Sequence, residues 1–223
     1  MIDEFSRRPP WVKWVPAAIL SAIMLGVVAF GIFALPEVAS GPGPAETDQV
    51  NDLNWSVFTD EGLAYIESAR TPRIDFSRPP VNASSLGLPA DGSLTVGPHA
   101  TDLDYRLVLI ATDEQPNGAL FTTPLFTITT SDDRIESVRV DERGAADFRE
   151  TYLLLAERSI SYGYTPPTAT AIAAAVSEAR ESGEPVTVRS NRGLTTGMPI
   201  TAEAVCFGAG FCAVSYVVTP PVG

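Results

Sequence analysis
Lysine is almost absent from this chain: of its 15 basic residues only Lys13 is lysine, and the other 14 are arginine. With 19 prolines and 17 glycines beside it, that bias is the mark of a GC-rich genome, and a bacterial source is expected. Basic residues are also few against the acids, 15 to 27, and form no cluster outside the N-terminal tail. Phosphate contacts need grouped Lys and Arg, so a chain of net charge −12 is not expected to bind nucleic acid. Histidine occurs once, at His99, and no nucleophile motif accompanies it. G-x-S-x-G, H-E-x-x-H, the phosphate-binding glycine loop with lysine, and G-x-G-x-x-G are all missing. Two cysteines and one distant histidine are too few for a tetrahedral zinc site. Asp102-x-Asp104 and Asp132-Asp133 offer oxygen atoms without the alternating ligands and central glycine of a calcium loop, so turn-forming roles are expected for them. No metal, cofactor or catalytic residue is assigned on these grounds. The sequons at Asn54 and Asn82 are read as chance matches.

Charge is missing altogether from Trp14 to Leu35. At about 1.5 Å per residue, a helix over this run spans roughly 33 Å, enough for a hydrocarbon core of about 30 Å. Such a helix satisfies its own backbone, which lipid cannot do. Arg7, Arg8 and Lys13 precede the run and the next basic residue is Arg70, so the positive-inside rule places the N-terminus in the cytoplasm and the remainder outside. Trp11 and Trp14 fall where an interfacial aromatic belt lies. The competing reading is an export signal cleaved near Ser40, after Val38-Ala39. The run is longer than the ~7–15 residues usual for the apolar part of such a signal. Residues 1–13 are thus expected as a cytoplasmic tail, 14–35 as a transmembrane helix in contact with lipid, and 36–50, rich in Pro, Gly and acids, as a flexible linker.

Residues 51–223 are expected to form the extracytoplasmic domain, with its compact part at about 93–219. A short helix within 55–69 (Trp55 to Ala69), with Thr59 or Asp60 as N-cap, precedes a Pro- and Ser-rich connection over 70–99. Strands are expected over 104–112, 119–129 and 134–142, with Pro124 making the second an edge or a bulged strand. Helices follow over 145–159, with Phe148, Tyr152, Leu155 and Ala156 on one face, and over 168–182, started by Thr165-Pro166-Pro167 and stopped by Gly183. Ile172, Ala175, Val176 and Ala179 form the second helix's smooth apolar stripe. Residues 185–190 read as a short strand.

The segment from Ala202 to Val218 is the most informative. A turn at Gly208-Ala209-Gly210 sets Cys206 opposite Cys212 and Phe207 opposite Phe211. Alternation then puts Ala202, Ala204, Cys206, Cys212, Val214, Tyr216 and Val218 on one apolar face, and Glu203, Phe207, Phe211 and Ser215 on the other. Opposed strand residues lie close enough for a disulfide, which is expected between Cys206 and Cys212 and agrees with an oxidising outer compartment. Phe207 and Phe211 are the expected partner contact, since aromatics suit interface hot spots; packing of both under the Pro-rich connection is the equal alternative.

The expected fold class is α+β, with a mostly antiparallel sheet and two packed helices behind the N-terminal transmembrane helix. The expected role is a non-enzymatic, single-pass accessory or interaction protein of a bacterial cell envelope, with a protein or cell-wall partner. Two alternatives stand beside it: an envelope hydrolase using a carboxylate pair, and a thiol-disulfide exchange protein using Cys206 and Cys212.

Overall fold
The computed structural model describes residues 20–24, 43–51, 55–99, 103–111 and 118–221. Residues up to Pro44 form one unit and residues from Ala45 another. In the first, residues 20–24 are helical and their side chains exposed. Most of the expected span over 14–35 lies outside the described residues, and among those described no helix is long and apolar enough to cross a membrane.

The second unit is an α+β body with mostly antiparallel sheets and few helices. It opens with helix α1 (Asp60–Ala69), whose N-cap is Thr59: its side chain accepts from the Gly62 amide. A three-stranded sheet has the order β1 (Arg73–Asp75), β3 (Tyr105–Ile110), β4 (Gly118–Thr123), with β1 parallel and β4 antiparallel to β3. A six-stranded antiparallel sheet has the order β2 (Gly92–Val96), β5 (Leu125–Ser131), β6 (Arg134–Asp147), β9 (Phe211–Val218), β8 (Ile200–Cys206), β7 (Val186–Arg189). Helices α2 (Phe148–Tyr162) and α3 (Ala169–Ser182) connect β6 to β7.

The core lies on one face of the large sheet. Phe126, Ile128, Val138, Val140, Ala202, Val214 and Tyr216 all point that way and are buried. At one end they meet the small sheet, where Tyr105 packs edge-on against Phe126 and Phe121 contacts Tyr216. At the other end they meet α2 and α3, which bury Leu155 and Ile172 completely. Each such side chain contributes on the order of 2 kcal/mol. The whole apolar stripe expected on α3, Ile172, Ala175, Val176 and Ala179, is buried.

Several expectations change. The compact body does not wait for residue 93: Phe58, Ile66, Ile74, Phe76 and Leu88 are core residues, so the Pro- and Ser-rich stretch carries a strand and a wall of the core. Residues 119–129 are two strands in two different sheets, and Pro124, unable to donate to a ladder, sits at the corner between them. The first large helix begins later than residue 145, because β6 runs on to Asp147, whose carboxylate caps the amides of Arg149 and Glu150. Its buried side is Thr151, Leu155 and Tyr162, while Phe148 is exposed. The N-cap of α3 is Thr168, not Thr165; the prolines precede it as extended chain.

Candidate functional site
The hairpin of β8 and β9 has the register read from its sequence: Cys206 pairs Cys212, Ala204 pairs Val214 and Ala202 pairs Tyr216. Cys206 and Cys212 form a disulfide with Cα atoms 4.0 Å apart. It faces the core, with the two cysteines 0% and 1% exposed. A thiol-exchange reaction needs an accessible sulfur and a depressed thiol pKa, and this burial favours a structural bond. On the opposite face Phe207 and Phe211 stack at a ring distance of 5.0 Å, with Phe211 40% exposed. The turn is seated on the end of α3: Arg180 Nε donates to the Gly208 carbonyl at 3.3 Å, and a Cβ on Gly208 would lie 2.9 Å from the Ala179 oxygen. The aromatic pair is thereby held on a clamped turn.

Other sequence candidates fall into structural roles. His99 bonds the Glu67 carbonyl through Nε2 at 3.1 Å and lies edge-on to Tyr105. Asp104 takes a fork from Arg143, at 3.0 Å to Nε and 2.7 Å to Nη2. Asp102 and Asn54 lie outside the described residues. Asp132 and Asp133 have φ of 51° and 57° and make the two-residue turn between β5 and β6. Asp133 also accepts from the Ser84 amide and hydroxyl, at 2.8 and 2.9 Å. Asn82 forms an isolated bridge with Arg134. Among the described residues no group of His, Cys, Asp and Glu is arranged to hold a metal.

Two polar constellations emerge that motif reading missed. On the outer face of the large sheet, Asp141, Ser215, Glu203 and Arg189 stand opposite one another across four strands. Glu203 accepts from Arg189 at 2.7 Å and from Arg139 at 2.8 Å, and Arg139 is also 3.6 Å from Asp141. Burial pushes the Asp141 carboxyl up, against the pull of Arg139. Both Glu203 oxygens are engaged by guanidinium groups, which suits a cross-strand ladder better than acid–base work. The buried Ser215 hydroxyl has no hydrogen-bond partner.

Inside the body, the register of β6 against β9 slips by two residues between Asp141 and Ala145. The slip keeps parity, so Glu142 turns inward. Its Oε1 accepts from the Tyr216 hydroxyl at 3.1 Å and from Arg158 Nε on α2 at 3.2 Å. Tyr162, Tyr164 and Phe121 complete an aromatic cluster around Tyr216. Burial pushes the Tyr162 phenol up to about 12 and raises Tyr164 and Tyr216 as well. These groups tie α2 to the sheet.

A surface cleft of about 250 Å³ opens beside β1, between the segment around Trp55 and the turn at Ser84–Leu86. Trp55, Arg73, Asp75, Arg78 and Asn82 line it. No motif marks these residues in the sequence, where they lie scattered over residues 51–86.

No family model matches this chain, and neither a curated protein nor a solved structure resembles it.

Proposed function
We propose that this chain is a membrane-anchored, extracytoplasmic interaction protein of a bacterial cell envelope, non-enzymatic, that contacts a protein or wall partner through Phe207 and Phe211. The observation that carries the reading is the aromatic pair on a turn fixed twice, by the Cys206–Cys212 disulfide and by the end of α3. A rigid aromatic contact loses little conformational freedom on binding, which is how hot spots gain affinity. The disulfide is the chemistry of an oxidising compartment. The charge-free run over 14–35 and the basic residues before it support the anchor and its direction.

A carboxylate-pair hydrolase finds less support. On the outer sheet face the acids Asp141 and Glu203 are bridged by Arg139. The test is a photoreactive phenylalanine analogue at position 211 of the full chain in native membranes. One dominant adduct is expected, with little at position 160, which is 82% exposed on α2. Equal adducts at both positions, or none at either, would remove the tip from the account.

A further inference from the structure
The cleft beside β1 stands apart from the hairpin and from the buried tyrosines. Its walls are fixed by hydrogen bonds from backbone amides. The Trp55 amide donates to Asn51 Oδ1 at 2.9 Å, and the Asn51 amide donates to the Trp55 carbonyl at 3.0 Å. The floor strand is locked to the same segment: Arg73 N donates to Ser56 Oγ at 2.9 Å and Ser56 N to the Arg73 carbonyl at 3.0 Å. On the far side, the Ala83 amide donates to the Asp133 carbonyl at 2.9 Å, holding the turn that carries Asn82 and Ser85.

The cleft also presents a guanidinium. Among the described residues Arg139, Arg143, Arg158 and Arg189 meet carboxylates, while several other arginines, Arg73 among them, do not. No carboxylate among the described residues forms an ion pair with Arg73, though it lines the cleft beside an indole. Among the described residues Asp75 is the one acid lining it, and its Oδ1 already accepts from the Ser77 amide at 2.8 Å.

We propose that this cleft binds a small oxyanion-bearing ligand, with the Arg73 guanidinium as its anchor and Trp55 as the wall for the ligand's ring. A guanidinium presents two parallel N–H donors that match a carboxylate or phosphate. Asp75 and Asn82 supply acceptors for hydroxyl groups, and the indole takes the flat apolar side of a ring. A volume of about 250 Å³ is just below the roughly 300–1,000 Å³ of sites for larger ligands, so the occupant is one ring and its acid group. A uronic-acid-like sugar and a sugar phosphate share this chemistry. The site does not depend on the hairpin contact or on the membrane anchor.

The experiment uses the full chain in detergent with Trp11 and Trp14 replaced by Phe, leaving Trp55 as the sole indole of the three. Its fluorescence is titrated with glucuronate, glucose and inorganic phosphate at constant ionic strength. A saturable change is expected with glucuronate or phosphate and none with glucose; the tighter of the two anions identifies the acid group. Arg73→Ala is expected to weaken binding by about tenfold or more, as loss of a charged hydrogen-bonded partner does. Arg73→Lys, which keeps charge without the fork, should fall between, and Arg149→Ala on α2 should match the parent. The Arg73 side chain is exposed and its strand is held by backbone bonds, so matched melting curves establish that the variants fold. Failure of both anions to saturate, an equal response to glucose, or unchanged affinity in Arg73→Ala and Arg73→Lys would overturn the proposal.

Discussion
Tyr162, Tyr164 and Tyr216 share one buried cluster, and their phenols hold their protons more tightly than in the unfolded chain, where the pKa is near 10. Because the folded values are raised, the native state binds more protons than the unfolded state above that pH. Their stabilising contribution is therefore complete below about pH 10 and is lost progressively as pH rises from there through the folded values, about 12 for Tyr162. Alkaline titration followed by tyrosinate absorbance and circular dichroism should show these three ionising together with loss of structure. Ionisation of all six tyrosines near pH 10 with the dichroism intact would contradict the packing. A second residue-scale prediction concerns Gly163, the C-cap of α2, at φ 74°. A Cβ there would lie against the Thr195 side chain, at 2.9 Å from its Cβ. Gly163→Ala should cost about 1–3 kcal/mol in denaturant unfolding, from strain and overlap combined.

Among the elements, the passage from β4 to β5 joins the two sheets. The Thr123 hydroxyl is buried and lies 2.6 Å from the Asp141 carbonyl of β6 and 2.5 Å from that of Leu125. Thr123→Val keeps the shape and leaves a carbonyl at this corner without its donor, so a loss of about 1–3 kcal/mol is expected at unchanged denaturant slope. The β8–β9 hairpin makes the opposite case. Its disulfide closes a sequence separation of only six residues, so its chain-entropy contribution is ~2 kcal/mol. The variant Cys206→Ala/Cys212→Ala should fold with the same near-ultraviolet dichroism and a lowered Tm; failure to fold would assign the bond a larger part. Elements governed by local rules were the legible ones. Cys206 and Cys212 reveal their register because a three-residue turn and alternation fix every pair after it. Ile172, Ala175, Val176 and Ala179 reveal α3 because its period is helical and Gly183 ends it. Pro124 was visible as a breaker, but a breaker does not say which sheet each half joins. That depends on β1 and β3, paired across a gap of more than thirty residues.

For the whole molecule, the succession of strand and helix patterns carried the α+β class and the basic flank the expected direction across the membrane, while the site was mostly illegible. Glu142 reaches Tyr216 only once β6 is paired with β9, and Arg158 joins them from a separate helix. Arg73 and Trp55 come together only once β1 is seated beside β3. Such long-range pairings leave no motif in a single sequence. The outward placement of the body remains the claim on which the proposed function stands. It is tested most directly by a membrane-impermeant maleimide and single cysteines at positions 6 and 160, with Cys206 and Cys212 kept paired. The account predicts a chain that stays with alkali-washed membranes, labels at position 160 in intact cells, and labels at position 6 only after lysis. A chain found in the cytosolic fraction, or one labelled from outside at position 6 and not at 160, would contradict it.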